Sequence, residues 1–576
     1  MRMPARTLLV CVIALGMSAG SCGRNSVKQV PAAAPASFVP FQTCGETGTF
    51  RGRTIEVERT TRAFLLHVPP SFSCGVAMPL LVDFHGTTSL EFPEEDLLTE
   101  ETIELANSRG FVLVRPRSLA GPVDGDELFQ WDVNDGDLER NRRFVHDLVA
   151  LVRSEYTVDP LRTYAFGFSN GTNMATLFLG DAASPFHGYA VVGGGAWAET
   201  HVLPRSATQP RLYATTGYRD YMYEWHTTLV EKWREAGHEA EALLVRPHHG
   251  GHEVYDWQVA EAWDWLDQGR RTDRGHLFPH WVMLPFDASE DLLAVTTGPT
   301  GLLVAGANGF LAREENGAWV YPIASDPATK PITDLCLRAD GTGIAVGDNR
   351  YAYTRDGGRS WTIDATPHEP FGDYLGLSHL LGAACGRRLV AGGYWSGVVA
   401  DEPYGPWEGA AMLDTDGVPE HVSDMLVADD GSLIVVGESW IGRSLDRDWR
   451  EYSLVEETEG WMYGVARAGN GRFWVVGDRG QLRFSNDDGW HWETVRARGA
   501  GPDLFAVHFA DERHGAAVGA HGTVLATHNG GRDWFELPTG LDHFLGGVVA
   551  YSDGSIVVAG EGGFLARWRP PVGPTR

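Results

Sequence analysis

Two hydrophobic patterns divide the chain. Between about residues 41 and 272, short apolar runs alternate with segments of helical periodicity, which predicts a mostly parallel sheet flanked by helices. Phe144, Leu148, Leu151 and Val152 fall on one face of a predicted helix that ends near residues 159–160. The predicted strands are residues 64–68, 80–84, 111–115, 163–166, 189–192, 212–215 and 242–245.

A repeat of about forty residues begins near residue 276 and predicts a repeat architecture. An apolar run ends in glycine seven times, and a tryptophan follows the first six runs. Residues 280–283 precede the first repeat and supply an unpaired strand with a tryptophan. We therefore expect a seven-bladed β-propeller over residues 276–570, closed by pairing strands from its two ends. The glycines are Gly306, Gly347, Gly392, Gly437, Gly477, Gly519 and Gly560, and the tryptophans are Trp319, Trp361, Trp407, Trp449, Trp492 and Trp534.

Three turns of this repeat, residues 354–361, 485–492 and 527–534, resemble the Asp-box of sialidase-like and photosystem-assembly-factor-like propellers. In that motif a short polar side chain can hydrogen-bond the backbone of its own turn, while the tryptophan packs between blades. Asp356, Asp487 and Asn529 hold the polar position. The resemblance implies a structural role for these residues rather than a catalytic one.

The N-terminus predicts export. Arg2 and Arg6 precede an apolar stretch over residues 8–17, which is too short to span a bilayer as a mature helix. Residues 19–22 resemble a bacterial lipobox ending in Cys22, although alanine replaces the usual leucine. We expect residues 1–22 to be a lipoprotein signal peptide and residues 23–40 a linker. Cleavage nearby or an uncleaved anchor are the alternatives. The expected location is the cell envelope, on the periplasmic or extracellular face.

The acidic composition argues against nucleic acid as a partner, because the net charge is -29 and no basic patch interrupts it. Export to an oxidising compartment makes a disulfide between Cys44 and Cys74 plausible. Two unpaired buried thiols are the alternative. The sequence leaves the state of Cys336 and Cys385 open.

Residues 167–171 read Gly-Phe-Ser-Asn-Gly between a predicted strand and a predicted helix over residues 172–177. A nucleophile elbow needs this arrangement, because its serine sits on a strained turn with its oxygen exposed. Small residues on both sides let the turn close. Ser169 is therefore the candidate nucleophile.

A serine hydroxyl needs a base, and the base needs an orienting acid, both after later strands. Asp220 follows the strand over residues 212–215 and is the candidate acid, with Glu224 and Asp256 as rivals. His252 follows two glycines after the last strand and is the candidate base, with His249 as the main rival.

When a serine attacks a carbonyl group, a tetrahedral intermediate forms, and its negatively charged oxygen needs two backbone N–H donors. Asn170, which follows the nucleophile, and Thr87, in the loop after the strand over residues 80–84, are the candidates. His85 is expected to order that loop. Candidate substrate-pocket aromatics are Trp131, Tyr218, Tyr221 and Trp225, which could equally belong to the core.

With these residues in place, residues 44–270 resemble the polyhydroxybutyrate depolymerase and feruloyl esterase family of α/β-hydrolases. The resemblance rests on His85-Gly86, Trp131, residues 156–162, the elbow and Gly251-His252. It implies a catalytic domain over residues 41–272 that hydrolyses carboxylic esters through an acyl-enzyme, with no metal and no organic cofactor. Residues 172–173 and 216–220 depart from the usual family forms, which puts substrate preference in doubt.

The expected substrate is a polyester, an acylated polysaccharide or an aromatic ester, and the propeller could bind a protein or glycan. A serine peptidase gated by its propeller is one alternative. Its propeller would ordinarily precede or interrupt the catalytic core, whereas here it follows. A non-catalytic envelope protein that binds through the propeller is the other alternative.

Overall fold

The computed structural model describes residues 45–89, 99–123, 126–131, 135–179, 181, 183–195, 210–271, 273–299, 301–326, 329–347, 350–365, 380–393, 397–405, 407–410, 421–447, 449, 452–496 and 499–570. The predicted signal peptide, the linker, Cys22 and Cys44 lie outside these residues. Within them, no helix is both long and apolar enough to cross a membrane.

The first half alternates strands and helices along the chain. Its described elements are β1 (Gly48–Val57), β2 (Thr60–Val68), β3 (Met78–Phe84), β4 (Thr88–Ser89), α1 (Thr99–Arg109), β5 (Val112–Pro116), β6 (Ala120–Val123), β7 (Asp126–Phe129), α2 (Asp135–Glu155), β8 (Val158–Phe168), α3 (Asn170–Thr176), β9 (Gly188–Val192), β10 (Arg211–Thr215), α4 (Tyr223–Glu235), a 3-10 turn (Ala240–Ala242), β11 (Leu243–Val245) and α5 (Asp256–Gln268).

Eight of these strands form one mixed sheet in the order β1-β2-β5-β3-β8-β9-β10-β11. The strands from β5 to β11 in that order run parallel, while β1 and β2 add an antiparallel hairpin at one edge. All seven predicted strands are present. The sequence missed β1, whose polar residues alternate with half-buried ones and leave no apolar run. Strands β4, β7 and β6 form a separate small sheet.

One helix boundary was wrong. Helix α2 ends at Glu155 rather than near residues 159–160, because Val158 already pairs with Met78 in the sheet. Pro160 lies in an irregular stretch of this pairing, where its missing N–H costs no ladder hydrogen bond. Phe144, Leu148 and Val152 are buried as the helical periodicity predicted.

Two apolar cores cover the two faces of the sheet. One contains side chains of α2, α3 and α4, among them Phe144, Met174 and Trp233. The other contains side chains of α1 and α5, with Trp263 stacked on Phe111 at 3.9 Å between ring centroids. Because both of its faces are packed, the sheet fixes the positions at which the loops leave the ends of its strands.

The second half is a seven-bladed β-propeller, as predicted. Each blade is a four-stranded antiparallel sheet. Short 3-10 turns follow the second strand at Ala307–Gly309, Asp478–Gly480, Ala520–Gly522 and Glu561–Gly563. The strands are β12 (Trp281–Met283), β13 (Leu292–Gly298), β14 (Gly301–Gly306), β15 (Leu311–Glu315), β16 (Ala318–Ile323), β17 (Ile332–Leu337), β18 (Gly343–Gly347), β19 (Arg350–Thr354), β20 (Thr362–Ala365), β21 (Leu380–Cys385), β22 (Leu389–Gly393), β23 (Gly397–Ala400), β24 (Glu408–Ala410), β25 (Val422–Val427), β26 (Leu433–Gly437), β27 (Trp440–Ser444), β28 (Tyr452–Glu457), β29 (Met462–Arg467), β30 (Phe473–Gly477), β31 (Leu482–Ser485), β32 (Glu493–Arg496), β33 (Leu504–Phe509), β34 (Gly515–Gly519), β35 (Val524–Thr527), β36 (Phe535–Glu536), β37 (Leu545–Ala550), β38 (Ile556–Gly560) and β39 (Phe564–Trp568).

The ring closes as the sequence predicted. Strand β12 pairs antiparallel with β39 and supplies the outer strand of the last blade, so strands from the two ends of the propeller share one sheet. Trp281 is buried in this blade, and its indole N–H donates to the Pro538 carbonyl at 3.2 Å. Closure of this kind removes the exposed edge that an open ring would present.

The innermost strand of every blade carries a bulge at its second residue, where the register with the next strand shifts. A bulged residue stays out of the ladder, so its backbone groups are available to other partners. The seven bulged residues are Leu293, Thr333, Leu381, Ser423, Tyr463, Phe505 and Gly546.

Local bonds reinforce the blades. Cys336 and Cys385 form a disulfide between the innermost strands of neighbouring blades, which answers the question that the sequence left open. Cys74 is also disulfide-bonded, while its predicted partner Cys44 is not described.

In each Asp-box turn the polar side chain accepts a backbone N–H four residues later, at 2.9 Å for Asp356 and Asp487. These hydrogen bonds agree with the predicted structural role.

We expect Trp281→Ala to lower the free energy of unfolding by about 3–5 kcal/mol, because it removes a buried indole from the closing blade. The matched control is Val282→Ala in the same strand, whose side chain is 61% exposed. Urea denaturation followed by tryptophan fluorescence and far-UV circular dichroism would measure both. Equal losses in the two variants would contradict closure through the Trp281 side chain.

Candidate functional site

Ser169 lies on a strained turn between β8 and α3, with φ 51° and ψ -121°. The turn forms because the backbone packs closely at both flanking glycines. A Cβ at Gly167 would lie 2.3 Å from the Gly171 carbonyl oxygen, and a Cβ at Gly171 would lie 2.0 Å from the Phe84 carbonyl oxygen. No larger residue fits at either position, so both glycines are needed for the turn that presents the serine.

The structure brings Ser169, His252 and Asp220 together in one hydrogen-bonded chain. The Ser169 Oγ lies 2.8 Å from His252 Nε2, and His252 Nδ1 lies 2.9 Å from Asp220 Oδ1. In the tautomer that fits both bonds, Nδ1–H donates to the carboxylate and Nε2 accepts from the hydroxyl. This is the arrangement in which an imidazole can remove the proton of a serine.

The Asp220 carboxylate is held by its own loop. Its side chain is fully buried, the Thr216 hydroxyl donates to Oδ2 at 3.1 Å, and the Met222 backbone N–H donates to Oδ1 at 2.7 Å. Gly193 is a second neighbour, because a Cβ there would lie 3.0 Å from Asp220 Oδ2. Sequence reasoning missed Thr216 and Gly193, although the Gly193–Gly195 run after a strand was a visible signal of close packing.

The rival acids and bases contact other groups. Glu224 pairs with Lys330 at 3.2 Å, and Asp256 accepts the Trp257 backbone N–H at the start of α5. The His249 ring lies 5.3 Å from the Phe505 ring of the propeller. Of the three histidines in this loop, His252 is the one with a hydrogen bond to Ser169.

The two predicted oxyanion segments flank the serine. A Cβ at Gly86, the residue before Thr87, would lie 3.2 Å from Ser169 Cβ. Trp131 ties the segments together, because its indole N–H donates to the His85 carbonyl at 3.0 Å and its backbone N–H donates to Asn170 Oδ1 at 2.6 Å. Trp131 is fully buried against Phe84, so it supports the loop from within the core instead of lining an open pocket.

The other predicted pocket aromatics have different environments. Tyr221 contacts the site, since its ring lies 4.4 Å from the His252 ring. Burial raises the pKa of its hydroxyl, which therefore stays protonated at neutral pH. Tyr218 is buried against the propeller and donates to Asp291 Oδ2 at 2.6 Å, so its predicted place in a pocket is corrected to an interface. Trp225 is 40% exposed.

The propeller packs directly on the loops that carry Asp220 and His252. Tyr218 joins an apolar cluster of propeller side chains that includes the bulged Leu293, Leu381, Tyr463 and Phe505. Gly251, the residue before His252, packs against the Trp461 ring, which would lie 3.0 Å from a Cβ at that position. The sequence left the contact between the two halves open.

Burial keeps nearby histidines neutral. It lowers the pKa of His226 to about 4 and that of His248 to about 3, because a charged imidazole would lose its hydration. The carboxyl group of Asp291 shows the opposite effect, since burial raises its pKa to about 6 although the Tyr218 hydroxyl opposes the shift. Within the described residues, no group of three or more His, Cys, Asp or Glu side chains could hold a metal ion.

No protein-family model matches the chain. The photosystem II assembly lipoprotein Ycf48 of Synechococcus sp. (strain CC9902) is 25% identical over 274 residues, which are 44% of this chain and 78% of that protein. Poly(3-hydroxyalkanoate) depolymerase C of Paucimonas lemoignei is 27% identical over 134 residues, which are 23% of this chain and 31% of the depolymerase. The solved structure of YCF48 bound to D1 peptide aligns with a TM-score of 0.41 and 15% identity, over 52% of this chain and all of that chain.

These comparisons give partial similarity to a depolymerase and to an assembly lipoprotein, each over less than half of this chain. The match to the depolymerase spans about a third of that enzyme.

We expect the stability of the parent protein to fall more steeply in acid than that of His226→Gln. Unfolding moves the pKa of His226 from about 4 to about 6.5, so the unfolded chain binds the extra proton between these values. The stabilisation is present above pH 6.5 and is lost as pH falls towards 4, on the order of 3 kcal/mol. Melting temperatures of both proteins between pH 7.5 and 4.5 would measure it, and parallel curves would contradict it.

Proposed function

We propose that this protein is a serine carboxylic ester hydrolase of the α/β-hydrolase type, similar to polyhydroxybutyrate depolymerases and feruloyl esterases, with Ser169 as nucleophile. The observation that carries the proposal is the hydrogen-bonded chain from Ser169 through His252 to Asp220. The strained backbone of Ser169 at the end of a central strand is the second support.

In the proposed first step, His252 Nε2 removes the Ser169 proton while the oxygen attacks the ester carbonyl. Asp220 stabilises the imidazolium through its hydrogen bond to Nδ1–H and fixes the tautomer. The backbone N–H groups of Thr87 and Asn170 donate to the developing oxyanion, and Trp131 keeps their two segments together.

The attack produces a tetrahedral intermediate. Its collapse breaks the ester bond, and His252 returns its proton to the departing alcohol. An acyl group then remains on Ser169. Water attacks the acyl-enzyme with the same imidazole as base, which releases the acid and restores the serine. The chemistry uses only groups of the chain and water.

Two further observations support this proposal. The order of the large sheet places β8 centrally, with β3 and β9 beside it, so the loops after these strands reach Ser169. The loops after β10 and β11 carry the acid and the base. The partial similarity to poly(3-hydroxyalkanoate) depolymerase C, over 23% of this chain, is the second observation that supports ester hydrolysis. We propose a polyester, an acylated polysaccharide or an aromatic ester as substrate.

The propeller is proposed to scaffold the site and to bind a protein or glycan. The partial similarity to Ycf48, named as an assembly lipoprotein, supports a protein partner. We further propose that the chain is exported and held in the cell envelope by a lipid on Cys22.

A gated peptidase is the second candidate function. The contact between the propeller and the loops of Asp220 and His252 favours it, because such a gate must lie over the site. Ester and amide substrates separate the two candidates.

We expect Ser169→Ala to lower turnover of short p-nitrophenyl acyl esters by at least ~1000-fold, because no nucleophile remains. Ser108→Ala, a change of an exposed serine on α1, is the matched control and should match the parent. Initial rates of the purified proteins, and rates with a proline-containing chromogenic amide, are the measurement. Equal ester rates for the parent and Ser169→Ala would rule out the mechanism, and faster amide than ester turnover would favour the peptidase.

Asp220→Asn should lower kcat by about 100- to 10,000-fold, because an amide no longer fixes the His252 tautomer or stabilises the imidazolium. Asp256→Asn removes a rival carboxylate that does not contact His252 and should keep the parent rate. Steady-state kinetics on the same esters would compare them. Loss of activity in Asp256→Asn but not in Asp220→Asn would show that Asp256, and not Asp220, is the acid.

A further inference from the structure

Arg219, the residue before Asp220, extends into the propeller. Its side chain is buried, and Nη1 donates to the carbonyl oxygens of Ser423 at 2.6 Å and Tyr463 at 3.1 Å. These carbonyls belong to the innermost strands of two neighbouring blades, β25 and β29. The guanidinium therefore connects the loop of the candidate acid to the inside of the ring.

The fold leaves these two carbonyls available to an outside donor. Ser423 and Tyr463 are the bulged residues of their strands, and neither has a partner in the ladder register. A buried carbonyl without a donor costs roughly 1–3 kcal/mol. The blade geometry thus provides two acceptors at the place where Arg219 enters.

Charge favours a cation at the same place. Burial raises the pKa of Asp334 and that of Asp424, the neighbouring Asp334 raises the pKa of Asp424 further, and the charge of Arg219 acts against both shifts. Each carboxyl also accepts two backbone N–H groups, one of them in the next blade. Arg219 therefore lies near two buried carboxyl groups, and its hydrogen bonds to two carbonyl oxygens replace part of its lost hydration.

The acid loop has a second side-chain connection to the ring. Tyr218 reaches Asp291, beside β13 of the first blade, whereas Arg219 reaches the fourth and fifth blades. The backbone between them is bonded to the base loop, since the Arg219 N–H donates to the Gly250 carbonyl at 3.2 Å. Two consecutive side chains thus fix the loop from different directions.

We propose that Arg219 is a positioning residue, which holds the Asp220 carboxylate against His252 by tying the acid loop to the carbonyls of Ser423 and Tyr463. The propeller is then a working part of the hydrolytic site and not only an appended binding module. This inference rests on the proposed ester hydrolysis.

The first test compares three variants on p-nitrophenyl esters. Arg219→Met removes both hydrogen bonds and should lower kcat about 100-fold with little change in KM, as expected for a small displacement of a catalytic group. Arg219→Lys can donate to the same carbonyls and should keep most of the rate. Arg274→Ala breaks a different link to the propeller, the ion pair with Glu561, and should behave as the parent.

A double-mutant cycle then separates positioning from general loss of structure. If Arg219 acts through Asp220, Arg219→Met should cost little more in an Asp220→Asn background, because the acid is already absent. A full additional loss in the double variant would overturn the proposal. An equal loss in Arg274→Ala would also overturn it, because any loosening of the interface would then explain the effect.

A spectroscopic test does not need turnover. The proton on His252 Nδ1, bonded to Asp220, should give a strongly downfield proton NMR resonance in the Ser169→Ala protein, absent from Ser169→Ala/Asp220→Asn. Arg219→Met in the same background should shift or broaden it, and Arg219→Lys should preserve it. An unchanged resonance in Arg219→Met overturns the positioning role. Absence of Ser169-dependent ester turnover in the parent would instead reject the proposed function, and the resonance would still decide the role of Arg219.

Discussion

The close backbone contact at the turn of Ser169 sets the geometry on which the site depends. Gly171 packs against the Phe84 carbonyl, and Gly167 against Gly171, at distances that exclude any side chain. This contact fixes β3 and β8 side by side at the point where both end. The loop after β3 is consequently held beside the serine, where the indole of Trp131 bonds to the His85 carbonyl. A single steric requirement thus brings the nucleophile and the predicted oxyanion segments together.

The geometry of the candidate site also depends on the contact between the two halves of the chain. The loops after β10 and β11 leave the sheet and meet the bulged residues at one end of the propeller, so the environments of Asp220 and His252 include side chains from far along the chain. The bulge repeats in all seven blades, but the bulged residues contribute different groups. Phe505 contributes a ring, Ser423 a carbonyl, and Tyr463 both. The same backbone bulge, repeated in every blade, therefore contributes different groups to the contact between the two halves.

The accuracy of sequence-based prediction followed the range of the interactions involved. The apolar strands, the blades and the strand that closes the ring were predictable, because apolar periodicity and glycine turns are local, whereas β1 has no apolar run and was missed. The end of α2 was misjudged, since the pairing of Val158 with Met78 is not visible in helical periodicity. Tyr218 was predicted to lie in a pocket or in the core, and the sequence did not reveal its partner Asp291, which lies 73 residues away. Arg219 had no place in the sequence prediction, since its partners lie more than 200 residues further along the chain.

The sequence by itself determined the strained turn of Ser169 and the seven-fold repeat, because both follow from which residue types tolerate a given backbone conformation at short spacing. It also narrowed the acid and the base to a few residues by their order along the chain. Only the tertiary structure decided among them, by placing Asp220 and His252 within hydrogen-bonding distance while Glu224 and His249 contact the propeller. Such distances depend on how the two halves of the chain pack against each other, and one-dimensional patterns do not contain that information.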